Sequence, residues 1–152
     1  MDNIYLRAKK YLYKILARRD YTKYELKLKL KNKFSLDEDS IDKIIKDLEN
    51  NHLIDDKRYK NLFIENKIRN GYGLVYIKYT LYKKGIEASE EEIYNIASKN
   101  GYNFKDIMND LLEKKNLKSV EKKYNFLIRR GFTAQEVKDI LKEEIHNGST
   151  FF

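Results

Sequence analysis

Leu81-Tyr82-Lys83-Lys84-Gly85-Ile86 and Leu127-Ile128-Arg129-Arg130-Gly131-Phe132 share one pattern: an apolar residue, a cationic pair, a glycine and a second apolar residue. This is how an α-helix ends. Cations in the last turn complement the negative end of the helix dipole, and the glycine takes the left-handed conformation that stops the helix. A helix start follows each turn, at Ala88-Ser89 with Ile93 and at Phe132-Thr133 with Val137. In both, a polar N-cap residue follows an apolar residue and precedes another by four positions, the spacing of a hydrophobic staple around a capped start.

Outward from these turns the pattern recurs once more. Leu30-Lys31-Asn32-Lys33-Phe34 precedes Leu36-Asp37 with Ile41, with Phe34 where the other two copies carry glycine. Ser89 with Glu92, Thr133 with Glu136 and Thr22 with Glu25 have the spacing of capping boxes. Each start leads into an apolar stripe: Ile41, Ile44, Ile45 and Leu48; Ile93, Ile96 and Ala97; Val137, Ile140 and Leu141. The helices before the basic turns run from Thr22 through Leu26 to Leu30, from Gly73 through Ile77 to Leu81, and from Ser119 through Val120 and Tyr124 to Leu127. Three more precede these, built on Ala8, Leu12, Ile15 and Leu16; on Tyr59, Leu62 and Phe63; and on Ile107, Leu111 and Leu112. The expectation is an all-α chain of nine helices in three tandem three-helix repeats, at 1–54, 55–104 and 105–146. A tail, 147–152, follows, either frayed or docked through Phe151 and Phe152.

Charge follows the same punctuation. Lys and Arg against Asp and Glu give +8 for 1–33, −6 for 34–56, +7 for 57–84, −5 for 85–113, +6 for 114–130 and −2 for 131–152. Helix dipoles favour acids at helix starts and bases at helix ends by about 0.3 to 1 kcal/mol each, which explains part of the alternation. Stacked units with similar handedness would present a basic surface along first and second helices and an acidic one along third helices. The chain has 152 residues with no Pro and no Cys, which favours helix and leaves no disulfide framework or cysteine-based zinc site. No apolar run approaches a membrane span, and Tyr5 to Leu16 is interrupted by Arg7, Lys9, Lys10 and Lys14, so a cytoplasmic location is expected.

The repeated turns resemble the RecX regulatory proteins of bacteria, small modulators of the RecA recombinase. Leu53-Ile54-Asp55-Asp56-Lys57-Arg58-Tyr59 is similar to the segment joining that family's first two repeats, and Ile68-Arg69-Asn70-Gly71-Tyr72-Gly73 through Gly85-Ile86 to its central stretch. Leu127 to Phe132, followed by Val137, Ile140 and Leu141, resembles its final repeat. The likeness covers about residues 6–145. It implies an elongated, curved helical array that binds RecA, chiefly as the filament on single-stranded DNA, and restrains strand exchange, ATP hydrolysis and co-protease function. DNA is a second, weaker partner, and a monomer is expected.

Under that resemblance, charge and position nominate Lys27, Lys29, Lys31 and Lys33; Arg69, Lys83 and Lys84; and Lys122, Lys123, Arg129 and Arg130 for contact with RecA or DNA. Arg129 and Arg130 lead, because Arg is scarce here and its planar fork suits carboxylate and phosphate. Each also has a purely structural reading as a helix-end cation. Among the 13 tyrosines, many interleaved with cations, Tyr72 is the most exposed in prospect, with stacking on single-stranded bases as its functional reading. The more common role of such tyrosines is to fill the boundary between core and surface.

Catalysis finds no support. His52 and His146 lie in different repeats, Gly71-Tyr72-Gly73 lacks a preceding strand and a Gly-Lys-Ser/Thr sequence, and Asp55-Asp56 suits a helix start. No enzyme, metal or cofactor is expected. One rival reading is a direct DNA binder whose turns at Gly85 and Gly131 act as helix-turn-helix units, though the helix after Gly85 carries Glu87, Glu90, Glu91 and Glu92. A helical scaffold for another protein is the other rival.

Overall fold

The computed structural model describes residues 3–146, and these contain ten α-helices and no strand. In chain order they are α1 Ile4–Leu16, α2 Lys23–Lys33, α3 Glu38–Asn50, α4 Asp56–Arg69, α5 Leu74–Lys83, α6 Glu90–Lys99, α7 Phe104–Lys115, α8 Val120–Arg129, α9 Ala134–Ile140 and α10 Lys142–His146. The expected ninth helix is therefore two. Leu141 departs from helical ψ (7°), yet Leu141 N–H still bonds the Val137 carbonyl and Ile145 N–H the Leu141 carbonyl, each at 3.0 Å. Leu141 is thus the joint between the two, its N–H ending one ladder and its carbonyl opening the next. Residues 147–152, with the docking expected of Phe151 and Phe152, lie outside the described residues.

The helix ends follow the chemistry read from the sequence. Thr22 and Thr133 form complete capping boxes, with Glu25 and Glu136 returning to the cap N–H, and Ser89, Asp37 and Ser119 each accept from an N–H three residues on. Gly85 and Gly131 take φ of 80° and 94° after their basic turns, as a helix-ending glycine requires. Gly101, between α6 and α7, turns at φ 78°, and His52 takes φ 59° in the connector after α3. A β-carbon in that region costs about 1–2 kcal/mol, so the connector without glycine carries strain that Gly101 avoids.

The described residues pack as two units. The first takes the described part of Met1–Lys60 together with Tyr82–Ile86. In it α3 lies against α1 and α2 over a core of Ala8, Leu12, Leu26, Leu30, Ile41, Ile44, Ile45, Leu48 and Ile54, edged by Tyr11, Ile15 and Phe34. The ring of Phe34, where glycine stands in the other turns, packs at 5.8 Å from Tyr11.

The second unit takes Asn61–Leu81 and the described part of Glu87–Phe152. Here α9 packs on α7, α8 and α10, the same relation that α3 has to α1 and α2. Two stripes differ from expectation. The first unit holds Tyr59 and this one Leu62 and Phe63, but the residues of α4 that are buried are Ile64 and Ile68, with Leu62 53% exposed. Helix α7 buries Phe104 and Met108, with Ile107, Leu111 and Leu112 only half-buried. The cause is the ring of Phe104, which meets Tyr94 and Phe132 edge-on at 5.4 and 6.0 Å and turns the helix toward them.

Candidate functional site

The two basic turns that end in glycine are each fastened to the start of another helix, one joint in each unit. In the first, the buried Thr22 hydroxyl accepts from Glu25 N–H and donates to the Lys84 carbonyl at 2.6 Å. Gly85 lies so close that a β-carbon there would sit 2.3 Å from the Tyr24 β-carbon. Glu25 ties the joint together: one carboxylate oxygen accepts from Thr22 N–H, and the other lies 3.4 Å from Lys84 Nζ and 3.6 Å from Arg19. Burial lowers the pKa of the Lys84 ammonium, but Tyr59 and Glu25 more than offset it, so Lys84 titrates above its ordinary value.

In the second unit the partners are backbone. Gly73 N–H donates to the Arg130 carbonyl at 2.9 Å and Val75 N–H to the Gly131 carbonyl at 2.8 Å. A β-carbon on Gly131 would lie 2.3 Å from that of Tyr76, and one on Gly73 would lie 2.5 Å from the Gly131 backbone. The Arg130 side chain reaches back across the joint, its Nε donating to the Gly71 carbonyl at 3.0 Å and its Nη2 to the Asn70 carbonyl. Its guanidinium lies 4.0 Å from the centre of the Tyr72 ring, which stacks on Tyr76 at 4.2 Å. Tyr72, expected to be exposed, is half-buried between a cation and a ring because Arg130 folds over it. Among the described residues the most exposed tyrosines are Tyr82 at 70% and Tyr79 at 60%.

The four nominated lysines of α2 separate into two rows. Lys27 and Lys31 face α3 and pair with Asp42 at 3.3 Å and Glu38 at 3.5 Å. Lys29 and Lys33 lie over the rings of Tyr21 at 5.4 Å and Tyr11 at 4.1 Å. Lys23 with Glu49 and Lys9 with Asp47 add two more ties to α3. The Glu49 bond is the main reason Lys23 titrates above its ordinary value. Thus much of the charge alternation in this unit is an acidic third helix meeting its own basic neighbours.

Elsewhere, Arg69 bonds Glu65 one turn back at 2.9 Å, and Lys123 bonds Glu144 at 2.8 Å. Lys83 is exposed at the end of α5. Arg129 and Lys122 are exposed, and their side chains meet no partner among the described residues. The adjacent arginines therefore differ: Arg130 is spent inside the unit, and Arg129 faces outward. Missed from the sequence is α1, whose Lys10 and Lys14 are exposed and, among the described residues, unpartnered. The available signal was the absence of any Asp or Glu from 3 to 19.

Between the end of α4 and α7 lies an open groove of about 470 Å³, with Ile68, Ile107 and Leu111 at its floor and Arg69, Asp106, Asp110 and Lys114 around it. Its charges are mixed and converge on no point. Among the described residues no three His, Cys, Asp or Glu side chains gather as a metal site, and no helix is long and apolar enough to cross a membrane.

No family model matches the chain. Two curated relatives do, both described as regulatory protein RecX. That of Clostridium beijerinckii is 39% identical over 94 residues, 60% of this chain and 43% of the relative. That of Clostridium acetobutylicum is 39% identical over 88 residues, 58% of this chain and 40% of the relative. The match thus spans well under half the length of either. In structure, the chain is similar to a crystal structure of regulatory protein RecX (TM-score 0.69, 22% identity, 92% of this chain and 72% of the other). It is also similar to RecX from Lactobacillus salivarius (TM-score 0.72, 22% identity, 92% and 96%). Over the matched stretch the chain is thus similar in sequence to proteins described as regulatory protein RecX, and over nearly all its length it is similar in fold to solved RecX structures.

Proposed function

We propose that this protein binds the RecA recombinase, chiefly as its filament on single-stranded DNA, and restrains recombination, ATP hydrolysis and co-protease activity in DNA repair and the SOS response. The observation that carries the reading is the 39% identity to proteins described as regulatory protein RecX. The fold it shares with solved RecX structures supports it. A filament is a polyanion wrapped in protein, and a binder needs positioned cations but no catalytic group. In this reading the protein works as a cytoplasmic monomer without a cofactor. Of the nominated residues, Lys122 and Arg129 are best placed for contact, since they are exposed and unpartnered among the described residues. Lys27 and Lys31 exchange acidic partners on α3 for the filament, at a cost in affinity.

The test is RecA ATPase on single-stranded DNA with increasing amounts of this protein, beside co-sedimentation with the filament and with bare DNA. Inhibition together with greater retention by the filament is expected. Equal retention by bare DNA with an unchanged ATPase rate would overturn the reading in favour of a direct DNA binder.

A further inference from the structure

Helix α1 lies in the carboxylate-free stretch that carries the most cations in the chain. From residue 3 to residue 19 there are six Lys and Arg and no Asp or Glu. Lys9 turns to Asp47 and Arg19 to Tyr21 and Glu25, but Lys10, Lys14 and Arg18 are exposed, and their side chains meet no partner among the described residues. Lys10 and Lys14 lie about 6 Å apart along the axis of α1, on the side away from the buried Ala8 and Leu12, and Arg18 follows in the turn just beyond the helix end. Tyr13, 42% exposed, lies three residues from Lys10, which makes the two neighbours on the helix surface. By contrast, Lys27 and Lys31 of α2 are held by α3.

We infer that the outward side of α1 and the turn that follows it, through Lys10, Lys14 and Arg18 with Tyr13, form a binding surface for single-stranded nucleic acid. The cations take successive phosphates, and the Tyr13 ring offers a base a stacking platform. The inference builds on the filament reading, since a single strand is what such a filament carries. An anionic membrane also attracts lysines, but surface helices enter it by an apolar face, and that side of α1 is occupied by the core. A duplex offers phosphates while keeping its bases stacked away from Tyr13.

The test is fluorescence anisotropy of a labelled oligothymidylate with the full chain over a range of salt. The variants are Lys10→Ala/Lys14→Ala/Arg18→Ala, Tyr13→Ala and, as control, Lys99→Ala/Lys105→Ala, two exposed lysines outside every nominated contact. The triple variant is expected to bind at least tenfold more weakly, with its log–log salt slope flatter by about 2, three single-strand phosphate contacts at about 0.7 each. Tyr13→Ala is expected to weaken binding about fivefold or more, the low end of base stacking. The control is expected to bind as the wild type does. Circular dichroism verifies that all variants keep their helices. Wild-type affinity and slope in the triple variant, or no binding of the oligonucleotide by the wild type, would overturn the assignment. So would capture by vesicles of equal parts phosphatidylglycerol and phosphatidylcholine in preference to the oligonucleotide. Tyr13→Ala binding at full strength would overturn the stacking role. RecA ATPase separates this inference from the reading beneath it: a wild type that binds the strand through α1 yet leaves RecA unaffected upholds the α1 surface and sinks the filament reading.

Discussion

The guanidinium of Arg130 lies flat over Tyr72, 4.0 Å from the ring centre, while its Nε donates at 3.0 Å to the Gly71 carbonyl and its Nη2 to that of Asn70. Both carbonyls stand just beyond the end of α4, so a cation at the end of one helix caps the negative end of another. The arrangement needs a planar group that donates along two directions and stacks by its face, which an ammonium cannot supply.

Arg130→Lys is therefore expected to lower unfolding stability by about 1–2 kcal/mol, the scale of a charge-assisted hydrogen bond together with a cation–π interaction. Arg129→Ala should stay within about 0.5 kcal/mol of wild type, as exposed positions do. Urea denaturation of the two single variants checks this, and equal effects would show that Arg130 is no clamp.

The glycines separate by what surrounds them. Gly85→Ala and Gly131→Ala would each press a β-carbon to 2.3 Å from a tyrosine β-carbon, on top of an unfavourable positive φ. Both should cost about 3 kcal/mol or more, or fail to give a cooperative fold. Gly101→Ala has the same sign of φ but nothing within 4 Å of the added carbon, so about 1 kcal/mol of backbone strain is expected. Thermal melts of the three variants give the order.

Thr22 serves two backbones with one hydroxyl. Thr22→Val removes the cap of α2 and leaves the Lys84 carbonyl without this donor, for an expected loss of about 2 kcal/mol. Thr22→Ser keeps the oxygen and should lose less than about 1 kcal/mol. A double-mutant cycle between Thr22→Val and Gly85→Ala, read by chemical denaturation, should be clearly non-additive because both act on one joint.

Tyr94 supplies an alkaline signature. Burial, and then the Glu136 carboxylate that its hydroxyl bonds at 3.3 Å, push its pKa from 10.0 up to about 12. A raised folded-state pKa means that the folded protein holds the proton more tightly than the unfolded chain. The associated stability is present below about pH 10 and is lost as pH rises through about 12. Comparing melting temperatures of wild type and Tyr94→Phe from pH 9 upward isolates this component. The wild type should fall more steeply than the variant across that window, and parallel curves would refute the shift.

The places where the sequence was legible share a property. Thr22 with Glu25, Thr133 with Glu136 and the turns at Gly85 and Gly131 act over three or four residues, and each appears in the structure where its spacing put it. The stripe of α4 was harder to read, since Leu62 and Ile64 are equally apolar and only packing chose Ile64 and Ile68 for the interior. The candidate surface was least legible of all. Arg129 and Arg130 are identical in type and adjacent in sequence, yet one is exposed and the other lies across Tyr72. Sequence alone also does not separate Lys10 and Lys14 of α1 from Lys27 and Lys31 of α2, yet α3 supplies pairing acids to the latter two and, among the described residues, none to the former.

By itself, then, the sequence determined the helices and where they stop, because caps, staples and left-handed glycines are satisfied within a turn or two of chain. Which cations remain available to a partner was decided by tertiary structure alone. Whether a charge is free depends on what the fold brings within about 4 Å of it. Arg130 found its acceptors some 59 and 60 residues away, while Lys10 and Lys14 found none among the described residues.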